Sequence, residues 1–506
     1  MPQELRGFYF DPEKNRYFPI KGPIPGTSRK KNPVLQKPIS SPTKERSALQ
    51  KDRSKLLYYR ELYGSSINVR GRNRNFEEEY KQKLISKPKV WRYQDVDRDA
   101  IRSLSLVNIN VETSEGQCST DALLTAGVNG SLSLFDVGFV GEDLRLSIKT
   151  TADFIWPENN EADCRGTVND IWKFGGATFV LPSAISGISM PRKGPIHGDT
   201  DGAVVQRALI TTLGSELSGG ALYVFNLDDP VDSYSSILSV GRLRELASLN
   251  CTIWGADVNC SGSKAIVGTN LGATLVDLQT AVSSVLCRSK SDVLSVQLIH
   301  SDNIALCGLR NGAIVTLDIR QPQRTMARHR ISNPAHDSTS NRTQKTNKPC
   351  LVLRGNIQPS CTVYMPSSIC CLESLQTYDQ YFLASSMDGS IRLYDHRLTS
   401  RGPVQSYEGH VNSHSHIKLA TDASESFVMS GGEDCKMRIW SIKSGELLFE
   451  EKLSSSIPLT SCWQNSGGFS KANDETQFLE DCRYTQTRNS DAWVGTAEGI
   501  LRMRFP

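Results

Sequence analysis

Short runs of alternating apolar and polar residues, separated by tight-turn signals, recur along most of this chain. The clearest run spans Leu383–Arg397 and reads LASSMDGSIRLYDHR. Asp388-Gly389 predicts a hairpin turn, because glycine readily adopts the positive φ that such turns need. Beyond the turn, Ile391 and Leu393 alternate with polar residues, which is the period of a half-buried strand. The run therefore predicts two antiparallel strands joined by a tight turn.

The same pattern recurs with different residues. Each clear copy has a turn followed by a strand. The turns and the ends of the strands that follow them are Asn129-Gly130 and Phe135-Asp136, Asn311-Gly312 and Leu317-Asp318, and Glu433-Asp434 and Trp440. Weaker copies end at Phe225-Asn226, Val276-Asp277 and Met503. One small sheet cannot bury both of its faces, so repeated sheets must pack in a ring. The repeats predict an all-β, seven-bladed propeller over residues 99–506, and an eighth blade stays open because the copies are degenerate.

The strand ending Tyr394-Asp395-His396-Arg397 resembles the end of a WD40 blade. It also resembles the aromatic-Asp-x-Arg ending carried by substrate receptors of cullin-4 RING E3 ubiquitin ligases. That family uses the arginine to dock on the adaptor of the ligase, a protein of the damaged-DNA-binding type. Asp318 and Arg320 occupy the same places one repeat earlier, after Leu317 instead of an aromatic residue. The resemblance implies adaptor binding by Asp318, Arg320, Tyr394, Asp395 and Arg397.

A basic arm is predicted before the propeller, partly helical and partly disordered. Residues 1–26 carry two aromatic clusters around a polar turn, which predicts a hairpin that docks on its own propeller or on a partner. Residues 27–46 are rich in Ser, Pro, Lys and Arg and predict a disordered linker. Residues 47–98 predict a helical arm, with helices at about 47–63 and 75–86 that either pack on the propeller or insert into the adaptor.

The first segment also carries a resemblance. Residues 5–26, LRGFYFDPEKNRYFPIKGPIPG, resemble the opening of one branch of the receptor family, the WD repeat proteins known as cullin-4-associated factor 4. This segment is more specific to that branch than any single blade.

Charge is distributed unevenly along the chain. The net charge is +4, yet residues 1–90 hold 21 Lys and Arg against nine Asp and Glu, so the rest of the chain is net acidic. A basic arm can contact nucleic acid or an acidic protein face, although a solvated tail explains the same composition. Residues 321–349 contain six Lys and Arg against one acid and predict a disordered basic loop inside the propeller.

Other candidate chemistry favours structure over catalysis. The set His410, Ser430, Asp434 and Trp440 resembles the buried hydrogen-bonded tetrad of a WD40 blade. The 13 cysteines include no C-x-x-C pair, and His414 and His416 lack further ligands, so neither a metal site nor a cofactor is predicted. P-loop, serine-hydrolase and zinc-protease motifs are missing, and the protein is not expected to be an enzyme.

Together these observations predict a non-catalytic substrate-recognition subunit of a cullin-4 RING ligase, which would present an unknown protein for ubiquitination. The alternative is a nuclear WD40 scaffold in RNA or ribosome assembly, with RNA contacted by the basic arm. Apolar runs are too short to span a membrane and the N-terminus lacks an apolar signal stretch, so the nucleus, the cytoplasm or both are expected.

Overall fold

The computed structural model of the 506-residue chain describes most of the propeller and short parts of the arm. The described residues are 8–11, 16–19, 66–69, 72–94, 100–113, 116–137, 147–157, 170–192, 206–215, 218–232, 241–299, 303–320, 328–332, 350–355, 357–464 and 491–506. The chain divides into two units, residues 1–77 and 78–506.

The first unit contains two hairpins. Phe8–Asp11 pairs antiparallel with Arg16–Pro19, and Ser66–Val69 pairs with Arg72–Asn75. In the register of the first hairpin, Tyr9 is opposite Phe18 and Phe10 is opposite Tyr17. The hairpin predicted in residues 1–26 is confirmed. The predicted linker at 27–46 and the predicted helix at about 47–63 lie outside the described residues.

Helix α1, Phe76–Ile85, leads into the second unit and agrees with the helix predicted at 75–86. Ile85 is buried in the apolar cluster between the sixth and seventh blades. Glu78 forms an ion pair with Lys443 at 2.6 Å, so the helix packs on the propeller. No helix within the described ranges is long and apolar enough to cross a bilayer.

Seven sheets follow one another along the second unit, and they form a seven-bladed WD40 β-propeller, as predicted. The main strands of blades one to three are Ile101–Thr113, Gly116–Gly127, Ser131–Asp136 and Ile171–Val180; Ile185–Ser189, Arg207–Thr212, Ala221–Asn226 and Leu243–Ser248; Ile253–Val258, Lys264–Thr269, Gly272–Asp277 and Ser283–Ser289. Those of blades four to six are Val293–Ile299, Ile304–Leu309, Ala313–Asp318 and Val363–Tyr364; Ile369–Ser374, Tyr381–Ser386, Ile391–Asp395 and Gln405–Tyr407; Leu419–Thr421, Phe427–Gly431, Lys436–Ser441 and Leu447–Lys452. Blade seven contains Thr460–Gln464, Asp491–Thr496, Gly499–Arg504 and Lys89–Tyr93.

Shorter strands and turns extend these blades. The additional strands are Ile148–Thr150, Ala152–Trp156, Val231–Asp232, Arg328–Ser332 and Cys350–Gly355, and two 3-10 turns lie at Pro359–Cys361 and Thr399–Arg401. Within the main strands of a blade, each strand runs antiparallel to the next. The first and third strands of a blade are therefore parallel to each other.

The propeller begins earlier in the sequence than predicted, because its last blade includes a strand from the N-terminal side. Lys89–Tyr93 was assigned to the helical arm, with the propeller beginning at residue 99, but this strand pairs antiparallel with Gly499–Arg504. Val90 and Tyr93 are fully buried there. A strand that completes a sheet from the far end of the chain carries no neighbouring turn or partner strand, so local patterning places it poorly.

The predicted basic loop at 321–349 is also partly corrected. Arg328–Ser332 forms a strand paired with Cys350–Gly355, which in turn joins Ser283–Ser289 of the third blade. Leu353 is fully buried in this added strand. The strand pair explains why a stretch with so much positive charge is ordered at this point. Residues 321–327 and 333–349 lie outside the described residues.

Apolar side chains pack between neighbouring sheets and hold the ring together. Between blades four and five, Leu306 and Ile314 meet Ile369 and Phe382 in one buried cluster. A Cβ at Gly308 would lie 2.5 Å from the Ile369 side chain, so only glycine allows the two sheets to approach this closely. This close packing fixes the relative positions of the two blades that carry Arg320 and Arg397.

Candidate functional site

Two strand endings build the same small structure in blades four and five. The third strands end at Asp318 and Asp395, and each carboxylate accepts a hydrogen bond from the backbone N–H two residues later, at 3.0 Å from Arg320 and 2.9 Å from Arg397. This local bond is a common way for aspartate to shape a turn at a strand end. Both carboxylates are nearly buried, with 8% and 7% of the side chain exposed.

Each arginine side chain then folds back onto its own aspartate. Arg320 Nε and Nη2 donate to the two carboxylate oxygens of Asp318, both at 3.1 Å. Arg397 binds Asp395 in the same way, at 3.1 and 3.0 Å. Yet the arginine side chains remain 65% and 60% exposed. Since a guanidinium carries five N–H donors, each arginine is held on one edge and presents further donors to solvent.

Electrostatics keep these two pairs ionised. The side-chain hydrogen bond from Arg320 lowers the pKa of Asp318, and that from Arg397 lowers the pKa of Asp395. The same bonds raise the pKa of both arginines. The four residues thus form two oriented cations, each backed by a carboxylate that solvent barely reaches.

The two pairs lie on one rim of the propeller, in adjacent blades. Each pair follows the end of a third strand, and third strands of neighbouring blades end on the same side of a propeller. Two 3-10 turns, Pro359–Cys361 in the long link after the first of these strands and Thr399–Arg401 directly after the second, approach each other to within 8 Å between Cα atoms. We call this surface, formed by Arg320 and Arg397, the arginine rim.

Tyr394, which was predicted to bind the adaptor, is not part of the arginine rim. Tyr394 is 1% exposed and stacks on Phe382, with ring centroids 5.6 Å apart, in the core between blades four and five. Its ring supports the strand that carries Asp395 and cannot form a contact surface. Asp318 and Asp395 are also nearly buried, and they contribute to the rim by orienting the arginine side chains.

The sixth blade uses the equivalent position internally. Lys443 stands where the arginine stands in blades four and five, and its ammonium group pairs with Glu78 of helix α1. The hydrogen bond that Lys443 donates to Glu78 is the main reason why the pKa of Lys443 is raised. This cation is therefore engaged by the chain's own helix.

The predicted tetrad is brought together in the sixth blade with different bonds from those expected. Ser430 Oγ lies 3.4 Å from His410 Nε2, which links two members of the set. Trp440 is fully buried, but its indole N–H donates to the carbonyl oxygen of Glu408 at 2.9 Å. Burial is the main cause of the lowered pKa of His410, which favours the neutral ring. These contacts anchor the blade.

Asp434, the fourth member, binds an arginine that the sequence analysis left unassigned. Arg438 donates to Asp434 and also to Glu450, while its own side chain is 3% exposed. A similar buried pair joins Arg502 and Asp491 in the seventh blade. The available signal was an arginine at an inward position of an alternating strand, where an apolar residue is expected.

Among the described residues, no group of three or more His, Cys, Asp and Glu side chains is placed to hold a metal ion. His414, one of the two histidines considered, is 83% exposed and faces Glu433.

Comparison with known proteins connects this geometry to a family. The model of the DDB1- and CUL4-associated factor 4 (DCAF4) beta-propeller domain matches residues 350–461, which include Arg397 and the sixth blade. DDB1- and CUL4-associated factor 4 from Homo sapiens is 22% identical over 468 residues, 88% of this chain and 78% of the relative. The chain is therefore similar to the DCAF4 WD repeat proteins, at modest identity.

Two further relatives match shorter parts of the chain. DDB1- and CUL4-associated factor 4 from Bos taurus is 28% identical over 196 residues, which is 38% of this chain and 33% of the relative. DDB1- and CUL4-associated factor 4-like protein 2 from Homo sapiens is 39% identical over 82 residues, 16% of this chain and 20% of the relative. The chain thus spans a third or less of two relatives and over three-quarters of the third.

Proposed function

We propose that this chain is the substrate-recognition subunit of a CUL4–DDB1 ubiquitin ligase and that it docks on DDB1 through the arginine rim. The observation that carries the proposal is the identical arrangement of Arg320 and Arg397 on adjacent blades, each exposed and each fixed by a buried aspartate. The names of the relatives, which state association with DDB1 and CUL4, support it.

The geometry suits a partner with acidic or carbonyl acceptors. An arginine that its own aspartate already orients loses little side-chain freedom on binding, which lowers the entropic cost of the interface. Two such side chains on one rim also fix orientation, because both must be satisfied at once. Once bound, the receptor would act by holding a protein near a ubiquitin-loaded enzyme, so the chemistry would belong to other subunits.

The decisive experiment reverses both charges of the arginine rim. The variant Arg320→Asp with Arg397→Asp places carboxylates where the adaptor would meet two guanidinium groups. We expect the amount of DDB1 and CUL4 that co-purifies from cells to fall by about a hundredfold or more, because each broken interfacial charge pair is costly. Single reversals should each give an intermediate loss.

A matched control is available on the same blade. Arg310 is also 65% exposed and also pairs with an aspartate, Asp292, at 3.1 Å. It lies in the turn before the third strand and therefore on the opposite rim. Arg310→Asp should leave co-purification unchanged. A folded double rim variant that retains DDB1 and CUL4 at wild-type levels would rule out docking through this rim.

The charge of the arm favours a second candidate function, RNA binding by a nuclear scaffold. Residues 1–90 carry 21 Lys and Arg against nine acids. Binding through phosphate contacts should weaken steeply as salt rises, with a log–log slope set by the number of phosphates neutralised. Removal of residues 1–70 should then abolish RNA binding in a filter assay, and equal binding by the shortened chain would exclude this candidate.

A further inference from the structure

A crevice between blades two and three is lined by three arginines that the proposed docking function leaves unused. Its volume is about 240 Å³, and blade three contributes Val258 and Leu278 to its walls. On the side of blade two, Arg207 begins the second strand, Arg242 directly precedes the fourth strand and Arg244 lies within the fourth strand. We call this space the arginine crevice.

Strand register explains why the three arginines share one wall. Asn226 ends the third strand, between the other two, and is paired with Arg207 on one side. On the other side its backbone N–H donates to the carbonyl oxygen of Arg242 at 2.9 Å. Arg244 lies two residues beyond Arg242 and is paired with Val224. Directly opposite residues, and residues two apart on one strand, point to the same face of a sheet, so all three arginine side chains face blade three.

The wall of the arginine crevice is positively charged. In blades four and five, an aspartate at the end of the third strand binds an arginine, but Asn226 holds that position in blade two. The Asn226 side chain accepts from the backbone N–H of Asp228 at 3.1 Å and donates to Asp229 at 2.8 Å. The described residues that line the crevice include no acidic side chain.

Most N–H donors of the three guanidinium groups are unused. Arg242 is 4% exposed and donates through Nη2 to the carbonyl oxygen of Pro230, while its Nε and Nη1 have no partner among the described residues. Burial lowers the pKa of Arg242, and the charge of Asp229 opposes this effect. Arg207 and Arg244 are exposed and form no ion pair or side-chain hydrogen bond within the described part of the chain. Three like charges on one wall repel one another unless an anion binds beside them.

The size of the arginine crevice and its donors favour one class of anion. Pockets for drug-sized ligands are typically about 300–1,000 Å³, so this smaller space suits a single small group. A phosphate group carries up to about two negative charges and three strong acceptor oxygens, which match the forked donors of arginine. A carboxylate has one charge and two oxygens and would leave more of this wall uncompensated.

The arginine crevice is separate from the arginine rim. Asn226 ends a third strand, so the crevice opens on the side of the propeller where Arg320 and Arg397 lie. It belongs to blades two and three, however, and the arginine rim belongs to blades four and five. A ligand here would leave the proposed DDB1 contacts of the rim free.

We infer that the arginine crevice binds a phosphate group, with hydrogen bonds from Arg207 and Arg244 and with Arg242 adding positive charge from within the wall. The phosphate is carried either by a phosphorylated serine or threonine of a protein segment or by a small phosphorylated molecule. Both sources present the same acceptor oxygens to the exposed arginines.

Calorimetric titration of the full chain distinguishes these sources. The probes are inorganic phosphate, a capped alanine pentapeptide with phosphoserine at its centre, and the same peptide with unmodified serine. We expect saturable binding of at least one phosphate-bearing probe and none of the serine peptide. Tighter binding of the phosphopeptide than of inorganic phosphate assigns the crevice to a protein segment, and the reverse order assigns it to a small molecule. Absence of saturable binding by both phosphate-bearing probes overturns the proposal.

Variants locate the binding in the arginine crevice. Arg207→Gln and Arg244→Gln should each weaken the affinity for the tighter probe about tenfold, the usual effect of one lost charged hydrogen bond. Arg288→Gln is the matched control, because Arg288 is also an exposed arginine on a fourth strand, in blade three, but does not line the crevice. Equal affinity in Arg244→Gln and Arg288→Gln would refute the assignment.

Thermal unfolding separates loss of binding from loss of folding. Arg207 and Arg244 are exposed, so the double variant Arg207→Gln with Arg244→Gln should melt close to wild type when no probe is present. A saturating concentration of the tighter probe should raise the midpoint of the wild-type chain, because it binds the folded state, and should leave the double variant unchanged. An equal rise in both proteins would show that the phosphate binds elsewhere.

The rim variant keeps this inference independent of DDB1 docking. Arg320→Asp with Arg397→Asp should bind the tighter probe with wild-type affinity, since neither residue lines the arginine crevice. Conversely, Arg207→Gln with Arg244→Gln should still co-purify with DDB1. Loss of probe binding in the rim variant would place the phosphate on the arginine rim and overturn the assignment to the crevice.

Discussion

The arginine rim and the interiors of blades six and seven contain the same chemical pair, an arginine with an aspartate, but bury the arginine to very different extents. On the rim, the carboxylates of Asp318 and Asp395 are buried and the arginines face solvent. In blade seven both Arg502 and Asp491 are only 6% exposed. An arginine–aspartate pair is therefore not a functional signal in itself. The exposed fraction of the guanidinium separates a cation that can bind a partner from one that connects strands.

The difference has an energetic meaning. A buried ion pair compensates two desolvated charges, so loss of one partner leaves the other uncompensated. A rim pair is mostly hydrated and contributes little to folding, which leaves its arginine available for binding. The comparison predicts that stability and adaptor binding respond to different pairs, and the following measurements test this in order of expected effect.

The largest loss of stability is expected from Asp491→Ala. This change would strand Arg502, whose guanidinium donates to Asp491 and stacks on Trp493 at 4.9 Å. Removal of one partner of a buried pair typically costs about 3–5 kcal/mol of unfolding free energy. Urea denaturation measures it. The double variant Asp491→Leu with Arg502→Met should recover most of the lost unfolding free energy. If Asp491→Ala is as stable as wild type, the buried arginine–aspartate pair does not stabilise the fold.

A smaller effect is expected from Glu433→Gln, since this carboxylate is held mainly by neutral donors. Burial alone would raise its pKa, but hydrogen bonds from Ser413 and Ser415 outweigh burial and bring the pKa to about 2. The folded-state pKa is depressed, so the stabilisation is present at neutral pH and is lost as pH falls from about 4.5 toward 2.

At pH 7 the glutamine variant should be less stable than wild type by about 1–3 kcal/mol. The difference should shrink as the pH of the urea titrations is lowered to 3. A gap that stays constant across this range would mean that the carboxylate charge is irrelevant to the fold.

The smallest change in stability is expected at the arginine rim. Arg320→Gln with Arg397→Gln should leave the thermal midpoint within about 1 °C of wild type, as for other exposed ion pairs. Since the pKa values of Asp318 and Asp395 are lowered by these arginines, any difference should disappear as pH falls through the range in which these carboxylates titrate. The same variant should still lose DDB1 in co-purification. A marked drop in the thermal midpoint would show that the ion pairs of the arginine rim stabilise the fold.

Local pattern predicted the fold of this chain better than its boundaries. The hairpin turn at Asp388-Gly389 was readable because Gly389 needs its positive φ of 82°. Strand Lys89–Tyr93 was not, because its partner lies at the far end of the sequence and pairing over that distance leaves no local signal. Arg328–Ser332 was missed for a different reason, since its positive charge outweighed its alternation.

The candidate site divides in the same way. The local geometry of Arg320 and Arg397 follows from the sequence, because their motif is contiguous and each arginine binds the aspartate two residues earlier. The burial of Tyr394 depends on packing between two blades, which the motif does not encode. The hydrogen bond between Lys418 and Ser103 could not be predicted for the same reason. Lys418 and Ser103 are separated by 315 residues, and only the closed ring brings them together.

The pairing of Lys89–Tyr93 with Gly499–Arg504 also bears on how the protein is made. Arg92 and Glu498, which meet across this blade, are 406 residues apart. At about 5–20 residues per second, translation would separate the appearance of the two by roughly 20 to 80 seconds. Throughout that interval the N-terminal strand waits on the ribosome without its partner, and the unfinished sheet exposes edges prone to wrong pairing. We therefore expect the nascent chain to depend on chaperones until its final strand has emerged.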